Sequence, residues 1–134
     1  DPVNLASRLE GLTKRYHLDL LIGETVAPMV RGHFLVRSVD LAVVKGKTKP
    51  VEIFTVEREL APGEPMPEPQ ATYEKGIQLF RSRDFAKAKQ AFEKALSQLP
   101  GDPLCEFYIA NCNDCLASPP PPEWTGISVM KEKK

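Results

Sequence analysis

The chain has 134 residues, 42% of them hydrophobic, which is room for one ordinary domain or two small ones. Eighteen basic and eighteen acidic side chains cancel, so no global field draws the chain to nucleic acid or to an anionic membrane. No stretch suits a transmembrane helix or a signal peptide, and an odd count of three cysteines argues against a disulfide framework and for a reducing, cytoplasmic setting.

Asp1-Pro2 reads as a helix opening, because proline in the first turn gives up an N–H that would have no partner there anyway. The helix is expected to run to about Tyr16, with Val3, Ala6, Leu9 and Leu12 on its apolar side. Asn4 and Arg8 stand four positions apart and so share one face, one turn from each other. An amide beside a permanently charged planar donor suits a ribose and a phosphoryl group. A domain beginning inside such a helix is expected to be a piece of something longer.

Leu18 to Ile22, ended by Gly23, reads as a short buried strand, and Glu24 to Val30 as a short helix despite Pro28. Phe34–Arg37 and Leu41–Val44 read as strand segments with a turn or bulge near Ser38–Asp40. Val51–Val56 alternates cleanly and reads as a strand. Lys45 to Pro50 joins the last two, most simply as an antiparallel hairpin with a somewhat long loop.

Two motifs in this stretch resemble class III adenylate and guanylate cyclases. Val3-Asn4-Leu5-Ala6-Ser7-Arg8 is similar to the family's V-N-x-A-x-R signature, and Val44-Lys45-Gly46-Lys47 to its V-K-G-K hairpin. Either alone would be weak; two at the family's separation, with strands between them, form a strong signal. The resemblance covers residues 1–57, the C-terminal third of a cyclase catalytic domain. It implies that Asn4 orients the nucleotide ribose, that Arg8 stabilises charge developing on the α-phosphate, and that Lys45 contacts the terminal phosphates. The implied reaction converts ATP or GTP to the 3′,5′-cyclic nucleotide and pyrophosphate, with Mg or Mn as cofactor. The family's metal-binding aspartates and base-reading residues would lie upstream of Asp1, so the 134 residues alone are expected to be inactive. The resemblance also implies a homodimer, with Asn4 and Arg8 completing the partner subunit's site. Lys47 and Lys49 read as ordinary surface lysines, and His17 and His33 have no metal-ligand spacing.

Residues 58–71 carry four prolines, three glutamates and one glycine and read as an extended linker. Beyond it the pattern is helical, with helices expected over about Thr72–Ser82, Phe85–Leu99 and Pro103–Leu116, and Asp84 as a helix N-cap. Gly76, Ala88, Phe92, Ala95 and Pro100 fall at the spacings of a tetratricopeptide repeat, although Thr72 stands where the pattern opens on an aromatic residue. One repeat is visible, and the third helix would cap it. Cys112 and Cys115 form a C-x-x-C spacing without a second pair for zinc or a strand–helix setting for redox chemistry, so the thiols read as structural. Pro119–Pro122 favour polyproline geometry, and the segment after them is expected to fold back with Trp124 as its anchor.

The expectation is therefore an α+β chain. Residues 1–57 form part of a cyclase catalytic domain, 58–71 a linker, 72–117 a tetratricopeptide-like region and 118–134 a proline-rich tail. The parent would be cytoplasmic or anchored to a membrane through missing upstream regions, and the helical part is a candidate surface for a protein partner. The alternative is a non-catalytic interaction module carrying a degenerate cyclase-like domain.

Overall fold

The computed structural model describes residues 21–42 and 50–124, and the chain divides into two compact units, 1–71 and 72–134. The architecture is mixed α+β. In chain order the described elements are β1 (Leu21–Gly23), α1 (Ala27–Val30), β2 (Phe34–Ala42), β3 (Val51–Glu59), α2 (Glu68–Arg81), α3 (Phe85–Gln98) and α4 (Pro103–Ala117). The expected helix before Tyr16 lies outside the described residues, as does the start of the strand expected from Leu18.

In the first unit the three strands form an antiparallel sheet in the order β1-β3-β2. Val51–Val56 lies in the central strand, where the consecutive residues Ile53, Phe54 and Thr55 are all buried, so both faces are covered there despite the expected alternation. β2 and β3 pair from Phe34↔Glu59 to Ala42↔Val51, so the expected hairpin is antiparallel. The two strand segments expected at 34–37 and 41–44 are one continuous β2 through Ala42. The pairing slips between Ser38 and Asp40, where Val39 is the extra residue, and again between Leu35 and Val36. Such bulges bend a strand and let it continue, where a turn would end it.

One sheet face carries an apolar cluster of Val36, Phe54 and Ala27, with Ile22, Val30 and Val56 packed against it. α1 is shorter than the expected 24–30, because Pro28 fits only its first turn and residues 24–26 form the turn leading into it. The Arg31 guanidinium sits 5.1 Å from the Phe54 ring centroid, closing the end of this cluster.

The extended stretch is shorter than the expected 58–71. Arg58 and Glu59 still pair with β2, and helix begins at Glu68 with Pro69 in its first turn. Between them Glu64 folds the chain back. Its carboxylate accepts from Ala61 N at 2.9 Å and from Arg58 Nη2 at 2.9 Å. The hydrogen bond from Arg58 holds the Glu64 carboxyl below its usual range.

In the second unit the interior is built from rings and small residues. Phe92 stacks on Tyr108 at 5.1 Å, while Tyr73 meets Phe92 edge-on at 5.5 Å and Phe80 meets Tyr108 edge-on at 5.2 Å. A methyl group at Gly76 would stand 2.8 Å from the Phe92 ring, so α2 approaches α3 as closely as it does only because this residue has no Cβ. Ala88 and Ala95 are fully buried on α3.

The expected cap at Asp84 is present, and the structure adds one at Asp102. The Asp84 carboxylate accepts from Lys87 N at 3.3 Å, and the Asp102 carboxylate from Cys105 N at 2.9 Å. Gly101, with φ 78°, turns the chain between α3 and α4 in the left-handed region.

Candidate functional site

The described frame nearest the V-K-G-K segment is the end of the sheet from which that segment departs. β2 leaves it at Ala42 and β3 returns to it at Val51, while Gly23 of β1 pairs with Ile53 beside them. Three carboxylates sit at this end and each has a structural task. Glu24 Oε1 accepts from Glu52 N at 2.8 Å, tying the segment after β1 to the start of β3. Ser38 Oγ donates to Glu52 Oε2 at 3.3 Å across the two strands. Asp40 is buried beside the bulge and accepts from Leu41 N at 2.8 Å. Among the described residues no group of His, Cys, Asp and Glu is arranged to hold a metal ion. Asn4, Arg8 and Lys45 lie outside the described residues, so the structure neither joins nor separates them.

The same sheet carries an ion pair whose cation is buried while its carboxylate stays partly open to solvent. Arg37, 2% exposed, donates from Nη2 to Glu57 Oε2 at 2.7 Å. Gln70 Nε2 donates to the other oxygen of Glu57 at 3.3 Å. A guanidinium can be buried at tolerable cost only with such charge-assisted partners. The signal was present: Phe34–Ala42 is an apolar run interrupted by Arg37, Ser38 and Asp40, and a charge in a run of that kind needs a buried partner.

The helical unit contains the three cysteines, all free and all buried. Cys105, Tyr108, Cys112 and Cys115 recur at intervals of three, four and three, which aligns them as one stripe of α4. Burial pushes the Cys112 thiol up to about 12, with the neighbouring Cys115 adding to the effect. Burial likewise raises the Cys115 thiol. A thiol held protonated is a poor nucleophile and a poor metal ligand, so the C-x-x-C spacing is a packing stripe. Buried beside it, Asn111 donates from Nδ2 to Phe107 O at 3.0 Å.

No family model matches the chain, and no solved structure matches it. Two curated relatives do. "Adenylate cyclase, terminal-differentiation specific" from Dictyostelium discoideum is 31% identical over 121 residues, covering 84% of this chain and 6% of the relative. "Adenylate cyclase" from Anabaena cylindrica is 44% identical over 59 residues, covering 42% of this chain and 12% of the relative. The chain thus spans a small part of the length of each. Since 84% of the chain exceeds either unit alone, the Dictyostelium match runs through both. Over these spans, the chain is related in sequence to adenylate cyclases.

Proposed function

We propose that the chain is the C-terminal part of a class III nucleotide cyclase catalytic domain followed by a tetratricopeptide-like helical extension, and that its intact parent makes a 3′,5′-cyclic nucleotide. The observation that carries this reading is a sequence likeness seen at two scales, in short motifs and over longer aligned spans. The V-N-L-A-S-R and V-K-G-K motifs resemble the cyclase family, and both relatives are named adenylate cyclases. Those names favour ATP over GTP as the substrate. The antiparallel β2–β3 pair supports the reading further, because the segment holding Lys45 joins its strands.

In this reading Asn4 orients the ribose so that its 3′-hydroxyl faces the α-phosphorus. The hydroxyl oxygen gives up its proton to solvent and forms the new bond to the α-phosphorus, the bond from that phosphorus to the oxygen it shares with the β-phosphate breaks, and pyrophosphate leaves with that oxygen. Arg8 meets the charge that builds on the α-phosphate oxygens, where a fixed guanidinium lowers the barrier most. Lys45 holds the terminal phosphates. Mg or Mn in the parent supplies further neutralisation of the triphosphate, and its ligands are to be sought outside the described residues. The site forms with the partner subunit of a homodimer, in the cytoplasm, and the helical extension serves a protein contact.

The test uses the intact parent. Arg8→Ala is expected to lower kcat about 100- to 1,000-fold, the scale for removing one transition-state donor, with little change in KM. An unchanged kcat would remove Arg8 from the chemistry and favour the non-catalytic module.

A further inference from the structure

The turn between α2 and α3 holds the segment that follows α4 with a fork of donors and two aromatic faces. Arg83 Nη2 donates to Pro120 O at 2.6 Å and Arg83 Nη1 to Pro121 O at 3.1 Å. The same guanidinium lies 5.6 Å from the Trp124 ring centroid. Trp124 meets Phe80 edge-on at 5.4 Å and Phe85 edge-on at 5.6 Å. Its own backbone N–H donates to Pro121 O at 3.0 Å, turning the chain so that the indole faces the two rings.

The chemistry fits a proline run specifically. Proline has no N–H, so the run Pro119–Pro122 has no donors for its own carbonyls; Trp124 N–H supplies one to Pro121 O, and Arg83 supplies the donors to Pro120 O and, as a second, to Pro121 O. A planar fork of donors reaches two of them at once, which a lysine could not do. Aromatic walls beside such a fork are a common way to recognise this geometry.

Arg83 also has φ 71°, in the left-handed region that side chains other than glycine seldom enter. The turn is pinned there by Arg83 N donating to Phe80 O at 3.1 Å and Asp84 N donating to Leu79 O at 2.9 Å. Glycine would suit this backbone better. The contacts made by the arginine side chain account for its presence.

We propose that Arg83, Phe80 and Phe85 form a recognition slot for a proline-rich segment anchored by tryptophan, and that its resident occupant is this chain's own Pro119–Trp124. The slot is a peptide-binding surface kept closed in cis. It opens to a competitor of the same chemistry only when the resident segment leaves.

Trp124 is the sole tryptophan in the chain, so its fluorescence reports the slot directly. In the full chain its emission is expected to be blue-shifted and shielded from acrylamide. Arg83→Gly keeps the turn's backbone allowed and removes the fork; it should raise quenching severalfold while the far-ultraviolet circular dichroism stays unchanged. A synthetic peptide of residues 118–124 then supplies the only tryptophan when titrated into the Trp124→Ala chain. Tethering gives an effective concentration on the order of millimolar, so a segment docked in cis must bind in trans below that. Saturable binding is expected there, about tenfold weaker to the wild-type chain, whose slot is filled, and lost in the Arg83→Gly/Trp124→Ala chain. The proposal is overturned if wild-type Trp124 is quenched as readily as the free peptide, or if the Trp124→Ala chain shows no saturable binding up to millimolar peptide. Shielding that depends on protein concentration would also overturn it, because the segment would then be exchanging between copies.

Discussion

In the sheet unit charged side chains join the apolar ones in the interior, while in the helical unit rings and thiols fill it. Arg37 and Asp40 are both buried on β2, Arg37 beside Glu57 and Gln70. The core of the helical unit is Tyr73, Ile77, Phe80, Phe92, Leu104 and Tyr108 with small residues fitted between them. The first arrangement is directional, since a buried charge depends on partners held at fixed distances and angles. The second is volumetric, since a ring depends on the space being filled. A change of one atom should therefore be felt through lost pairing in one unit and through altered volume in the other.

The largest break is expected at Phe92, which touches Tyr73, Tyr108 and the Gly76 backbone position. Phe92→Ala should cost the helical unit about 3–5 kcal/mol in chemical denaturation. A cost under 1 kcal/mol would mean that the ring packing is not what holds the helices. In the sheet unit Glu57→Ala takes from the buried Arg37 its 2.7 Å charged partner and should cost about 1–3 kcal/mol. The contrast sharpens with Arg37→Met/Glu57→Leu, which removes both charges and should recover most of that loss. If the double variant is as unstable as the single one, the pair is not the directional device described.

Gly76→Ala comes next, at about 1–2 kcal/mol: the new methyl meets the Phe92 ring at 2.8 Å, and the better helix propensity of alanine offsets part of the clash. Gly76→Ala in a Phe92→Leu background should cost less, because the ring is gone.

The effect of alkali is confined to high pH. Burial raises Cys112 in the folded state to about 12, so its stabilisation is complete below the thiol's unfolded value and is lost as pH rises through the folded one. Thermal stability of the helical unit should fall from about pH 9 upward, and Cys112→Ala should flatten that slope. A slope unchanged in the variant would assign the alkaline loss to another group.

How far the sequence could be read follows the same division. The helix start at Phe85 was legible because Asp84 is a local signal, its own carboxylate accepting from an N–H three residues on; Asp102 caps the start at Pro103 in the same way without having been singled out. The β2–β3 hairpin was legible from alternation, and so was a departure from regular pairing near Ser38–Asp40. The pairing of Arg58 and Glu59 with β2 was not, because their partners Leu35 and Phe34 stand more than twenty positions back and composition alone suggested a linker. Arg37–Glu57, twenty apart, was missed for the same reason. The Arg83 contacts with Pro120 and Pro121 span 37 and 38 positions, and neither propensity nor period predicts them. Motif resemblance behaves differently. It singled out Asn4, Arg8 and Lys45 by spacing in the chain, a signal that needs no pairing partner to be seen.

That selectivity gives the sharpest test of the cyclase account. Lys45 and Lys47 stand two residues apart in the same segment, and only the motif distinguishes their roles. In the intact parent, steady-state cyclic nucleotide production by Lys45→Ala should show KM for the nucleoside triphosphate raised about tenfold or more, roughly 1.4 kcal/mol of lost binding. Lys47→Ala should stay within about twofold of the parent, as an ordinary surface lysine would. Equal effects from the two substitutions, or none from Lys45→Ala, would contradict the account.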